Sequence, residues 1–232
     1  MEDIDYKFID TMLERPIGLT VGSRHFYIYQ PTLGKSLLIG NLLKSIEINT
    51  PLMQFNSMAE LLRLCSLHTD VCCRIIALSM CKGKEALDNE HVEEIITYLK
   101  DNAEPENLAT LLAIVMKGDN IDEILNHYGI SDELKEMSKA QRAKKDKGCP
   151  TFCGLTTYGK IIDPLADKYG WTLDYILWGI SYNNIQLLLA DAPKTLYLSD
   201  EELKKSGIHK GQEVLSMDDP ETWEKIKKMD WR

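Results

Sequence analysis

Long apolar runs are missing from this chain of 232 residues, and none approaches the roughly 20 residues that a membrane-spanning helix needs. Positive charge is in the minority. Against 36 Asp and Glu stand 27 Lys and Arg, a formal charge of −9, which argues against a chain built to coat nucleic acid. The opening MEDIDYKFIDTMLERP has neither the basic start nor the apolar core of a signal peptide. A soluble, cytoplasmic protein is the expectation. Catalytic patterns are absent as well: no glycine-flanked serine, no histidine pair at metal spacing and no paired carboxylates in an apolar setting. Neither catalysis nor a cofactor is expected, and no internal repeat is visible.

What the chain has is ordinary globular composition, 44% hydrophobic and 27% charged, and enough length to bury a core. Residues 3–14 fit a short amphipathic helix ended by Pro16, with Ile4, Phe8, Ile9 and Met12 apolar. IGLTVGSRHFYIYQP alternates on both sides of Gly22-Ser23, the composition of a two-residue hairpin turn. From Thr32 the apolar spacing becomes helical. Gly34-Lys35-Ser36 resembles the end of a phosphate-binding loop, but that motif needs a glycine where Tyr29 stands. The expectation is an exposed first helical turn.

Ser57-Met-Ala-Glu60 has the form of a capping box, opening a helix to about Lys82 that is apolar almost all round. His68 falls inside it as a core histidine. Four of the six cysteines, Cys65, Cys72, Cys73 and Cys81, lie there among apolar neighbours and read as small buried hydrophobes. Cys149 and Cys153 have a metal-like spacing without a second ligand pair, and read as a reduced loop. Further helices follow from Asp88, Pro105 and Ile121. The fold class expected is mainly α: an N-terminal β-hairpin packed on an antiparallel α-helical domain, plus a small C-terminal helical unit. The boundaries expected are 1–130 for the hairpin and helical domain, 131–150 for a charged linker, 151–198 for the small unit, and 199–232 for a charged tail.

Aromatics concentrate in GKIIDPLADKYGWTLDYILWGISYNNIQLLLADAP, residues 159–193. Asp163-Pro164 suits a helix start, Gly170 a stop, Thr172 a cap, and Asn183 or Asn184 the start of a third helix. Trp171, Tyr175, Trp178 and Tyr182 are the candidate partner-binding residues, since aromatics dominate interface hot spots. Gly179 thins the backbone beside Trp178 and leaves room for a partner. Each of these rings is equally a candidate for the core of a small domain. LADKYGWTLDYI also fits a helix-turn-helix, but residues 172–181 carry Asp174 and no base, a poor recognition helix.

HFYIYQPTLGKSLLIGNLL and LADKYGWTLDYILWGISYNNIQLLLAD resemble two passages of the tail assembly chaperones of long-tailed bacteriophages: a strand turning through Pro-Thr-Leu-Gly into a helix, and a Tyr-Gly-Trp corner between helices. The resemblance covers about a third of the chain. It implies a non-catalytic protein of the bacterial host cytoplasm that binds tail tube and tape measure proteins and is absent from the finished tail. The alternative is a helix-turn-helix DNA-binding protein.

Overall fold

The computed structural model describes residues 3–116, 121–144 and 154–208. Its first compact unit comprises Met1–Ser131 and Thr151–Ala192, and its second Asp132–Pro150 and Pro193–Arg232. The fold is mainly α, with one two-stranded antiparallel sheet among the described residues.

In the first unit, α1 (Asp3–Met12) leads into strands β1 (Ile17–Val21) and β2 (Arg24–Ile28), paired from Ile17 opposite Ile28 to Val21 opposite Arg24. Gly22 takes φ of 56° while Ser23 stays at negative φ, as the first position of a type II′ turn requires. The Tyr98 hydroxyl fastens this turn. It accepts from Ser23 N and Arg24 N, both at 3.2 Å, and donates to Val21 O at 3.1 Å. Tyr29 N donates to Ser79 O at 2.9 Å and ties the end of the hairpin to the helices.

Those helices are α2 (Leu33–Leu43), α3 (Thr50–Phe55), α4 (Ser57–Leu67), α5 (Thr69–Met80), α6 (Asn89–Asn102) and α7 (Pro105–Met116). Their apolar faces and the inward hairpin residues Val21 and Ile28 make one large core, centred on Leu64, Ile76, Leu99, Leu108 and Leu112. Cys65, Cys72, Cys73 and Cys81 are buried in it with free thiols, as the apolar setting implies. Burial pushes the Cys73 and Cys81 thiols up to about 11.

The long helix expected over 57–82 is broken at His68, whose φ of −128° and ψ of 45° leave the helical region. Thr69 Oγ1 donates to Cys65 O at 2.7 Å across the corner. A straight rod apolar on every side would need partners on every side. The break instead lets α4 pack on α7 and α5 on α6. His68 thus lies at a half-exposed corner, not in the core. The capping box also forms differently: Asn56 caps α4, accepting from Ala59 N at 3.1 Å. Glu60 is fully buried and accepts from Asn49 N and from Arg63, each at 2.7 Å. The Arg63 hydrogen bonds hold its carboxyl below the usual range.

Residues 151–192 cluster with 1–131, whereas a separate helical unit over 151–198 was the expectation. The reason is Leu33, which sits in a second core with Ile162, Leu165, Ile176, Ile180 and Ile185. α10 (Asp163–Tyr169) opens at Asp163 with Pro164 in its first turn, as expected. A π-turn, Tyr158–Ile162, runs directly into it. Gly170 ends α10 at φ of 65°, as expected. A second π-turn, Tyr175–Gly179, precedes α11 (Tyr182–Ala190). A third cluster joins Ile4 of α1, Leu187 of α11, and Ile121 and Ile124 of α8 (Ile121–His127).

α9 (Ile130–Ala143) carries the chain into the second unit, so the first part of the expected 131–150 linker is helical. α12 (Asp200–Ser206) has a true capping box, with Ser199 and Glu202 satisfying each other's backbone donors. Cys149, Cys153 and most of the charged tail lie outside the described residues.

Candidate functional site

Two helix starts meet where the chain passes from β2 into α2. Thr32 caps α2, and its backbone forms an antiparallel bridge with Ser181, the cap of α11. Pro31 O accepts from Tyr182 N at 2.8 Å. Ser181 takes the capping role that the sequence reading gave to Asn183 or Asn184, accepting from Asn184 N at 3.2 Å. Asn183 is instead buried. Glu14, at a positive φ of 51°, closes the junction from the α1 side. Its Oε1 accepts from Ser181 N at 2.7 Å and from Asn184 Nδ2 at 2.9 Å. A carboxylate placed at the start of α11 also faces the positive end of the helix dipole.

Gly34 makes the junction possible. A Cβ there would lie 2.7 Å from Trp178 Cη2 and 2.9 Å from Leu177 O, so the indole and the backbone beside it occupy the space of a side chain. Lys35, expected on an exposed first turn, has no solvent exposure. Its Nζ donates to Cys81 O at 3.0 Å and stands 5.8 Å from the centre of the Tyr29 ring. Burial pulls the ammonium down to about 8, against the upward influence of Cys81, Glu14 and Glu85. The phosphate-loop likeness of this turn therefore has nothing to act on: its lysine faces inward.

The four aromatic candidates fall into two groups. Trp171 stacks on Tyr169 at 4.8 Å between centroids and meets Tyr175 edge-on at 5.2 Å. Tyr175 is 42% exposed, and Trp171 is half-buried. Trp178 packs against the large core beside Gly34, while Tyr182 packs against the second core. The room expected beside Gly179 is filled, since a Cβ there would collide with the Tyr175 ring. Sequence spacing brings Trp171 and Tyr175 together and sends Trp178 elsewhere.

A helix-turn-helix reading fits this geometry poorly. The segment after Gly170 is a short helical stretch whose π-turn ends in extended backbone at Ile180, and Asp174 pairs with Lys84.

A groove of about 740 Å³ is the feature that sequence reasoning missed. The end of α1, the start of β1, α2 and the last turn of α7 form it, with Ile17, Ile28, Ile39, Leu43, Ile114 and Val115 on its walls. Ser36, Gly40 and Leu43 line it from one face of α2. Its one signal in the sequence is a glycine in a helix interior, Gly40. Among the described residues no group of three or more His, Cys, Asp or Glu is placed to hold a metal ion, and no helix is long and apolar enough to cross a membrane.

No protein-family model, curated protein or solved structure matches this chain.

Proposed function

We propose that this protein is a non-catalytic tail assembly chaperone of a long-tailed phage or prophage, acting in the bacterial host cytoplasm. It binds tail tube and tape measure proteins while the virion is built. The observation that carries the reading is the half-exposed aromatic corner of Tyr169, Trp171 and Tyr175, fixed on the Gly170 turn above the second core. Rigid aromatic rings lose little conformational freedom on binding and dominate protein interfaces. The formal charge of −9 keeps a complex with apolar client surface in solution. The resemblance of two passages supplies the identity of the clients. Those passages supply both sides of the Thr32–Ser181 bridge.

Co-expression of the chain with tail tube and tape measure proteins, followed by affinity capture, tests the reading. Wild-type protein should retain at least one of them, and Trp171→Ala should lose it while staying folded, with a melting temperature lowered by only a few degrees. Retention of neither protein by the wild type, or specific capture of duplex DNA instead, overturns the proposal.

A further inference from the structure

We propose that the free edge of β1 pairs antiparallel with the same edge of a second copy of this chain, joining two hairpins into one four-stranded sheet. The two-residue turn at Gly22-Ser23 makes Val21 and Arg24 a hydrogen-bonded pair, and the next such pairs are Leu19 with Phe26 and Ile17 with Ile28. The alternation turns the N–H and C=O of Gly18 and Thr20 the other way, out of a sheet that ends at β1. Among the described residues nothing else in the chain bonds to these groups. They are also accessible. Gly18 is exposed and has no side chain, so its exposure is that of its backbone. β2 lies on one side of it, and the His25 ring covers its outer face, with Nε2 only 3.2 Å from where a Cβ would stand. The edge is the side left open.

A row of unpaired backbone donors and acceptors in extended geometry is complementary to another extended backbone. Folded proteins guard such edges with charges, prolines, bulges or a covering element. The opposite edge of this hairpin is guarded: Arg24 of β2 pairs with Glu94 of α6 at 2.9 Å, and Tyr29 N is taken up by Ser79 O of α5. β1, Ile-Gly-Leu-Thr-Val, has no charge, no proline and no bulge in its pairing. Its pattern selects a second copy as the occupant. About a two-fold axis at Leu19, Gly18 lies opposite Thr20 of the copy, and Thr20 opposite Gly18 of the copy. Every outward N–H and C=O of both strands then finds a partner. On the other face Leu19 meets its own counterpart, and Ile17, 49% exposed, comes opposite Val21 of the copy. Read in either direction, the strand is apolar at its ends and middle and small between them. That is the self-complementarity an isologous contact needs, and it sets no charge against a like charge in a molecule of formal charge −9.

The pairing does not rest on the chaperone reading. Its test uses the full chain in sedimentation velocity over a concentration series under reducing conditions, where wild type should show a reversible monomer–dimer equilibrium. Thr20→Pro removes an outward N–H from each copy and no bond to β2, and proline is tolerated on an edge strand. With two hydrogen bonds lost per dimer, the dissociation constant should rise by about tenfold or more. Ile17→Lys sets a charge against the apolar strip of the copy from a position already exposed in the monomer, and should weaken the dimer while the monomer stays folded. Cross-linking reads the register. Leu19→Cys stands at the axis, where facing Cα atoms of a non-hydrogen-bonded pair lie about 4.5 Å apart, within reach of a disulfide. Mild oxidation should link its two copies and leave wild type unlinked. Ile17→Cys lies well away from its own counterpart in this register and should not link. Wild type that stays monomeric at every concentration overturns the inference. So does a dimer that Thr20→Pro and Ile17→Lys both leave unchanged, or one linked through Ile17→Cys and not through Leu19→Cys. If Thr20→Pro fails to fold, Ile17→Lys decides.

Discussion

Trp171 and Trp178 stand seven residues apart on one short segment and meet opposite surroundings. Trp178 lies against Gly34 and the large core, where the backbone of α2 has been stripped of a side chain to admit it. Trp171 lies on the rim of the second core, stacked on Tyr169 and edge-on to Tyr175. Trp171 precedes the helical stretch, in non-helical backbone after Gly170, whereas Trp178 lies inside the π-turn Tyr175–Gly179. Only one of the two is on a helix, so a spacing of seven does not put them on one face as about two regular turns would. Identical chemistry at an apparently helical spacing thus gives one ring that fastens the fold and one that is left at its edge.

The sharpest way to break this contrast is to cut the Trp178 side chain. Trp178→Ala should destabilise by about 3–5 kcal/mol, the usual cost of truncating a tryptophan packed in a core. Chemical denaturation measures it. A loss below about 1 kcal/mol would place Trp178 on the same footing as Trp171 and remove the distinction. Next in size is the partner position. Gly34→Ala adds a methyl where the Trp178 ring and Leu177 O already stand, and overpacking of this kind costs about 1–3 kcal/mol. Gly40→Ala, in the same helix with open space around its Cβ, should instead stabilise by up to about 1 kcal/mol. If the two alanines behave alike, the close approach at Gly34 is not what holds α2 to the Trp178 segment.

Much of this architecture was legible in the sequence, and the misses share a cause. The hairpin and the stop at Gly170 are local, set by the dihedral freedom of glycine. The corner at His68, the burial of Lys35 and the capture of Glu60 by Asn49 and Arg63 depend on residues distant in the chain or on packing, which no spacing rule reports. Of the candidate site, the concentration of aromatics over 159–193 was readable. The separation of Trp178 was not, because it depends on Gly34, distant in the chain. The groove left only Gly40 as a trace.

Lys35 offers a sharper probe of the fastened side. Its ammonium is held below its unfolded value of 10.5, at about 8, by burial, so below pH 8 the folded state carries the cost of a buried charge. Between about 8 and 10.5 the unfolded chain binds more protons, and stability rises with pH. Cys73 and Cys81, raised to about 11, oppose this once unfolded thiols begin to ionise near their ordinary value of 9.0. Glu14 and Glu85 also bear on Lys35. The clean window is therefore pH 8 to 9 under reducing conditions. There the wild type should gain on the order of 1 kcal/mol relative to Lys35→Met, whose profile lacks the lysine contribution. Parallel profiles for the two proteins would mean that Lys35 is hydrated and the junction looser than its geometry.

The smallest effect belongs to the edge. Tyr175 meets Trp171 edge-on at 5.2 Å, an arrangement in which the positive rim of one ring faces the negative face of the other. Pairs of this kind are worth about 0.5–1.5 kcal/mol beyond the area they bury. Part of the Tyr175 ring also fills the space beside Gly179, so Tyr175→Ala alone mixes two losses. A double-mutant cycle with Trp171→Ala and Tyr175→Ala removes that ambiguity, since the contact to Gly179 is lost equally with and without the indole. The expected coupling is about 0.5–1.5 kcal/mol, well short of the cost of Trp178→Ala. A coupling near zero would show that the two rings do not hold each other in solution. The aromatic corner would then be two independent side chains without the preorganised face that a binding role requires.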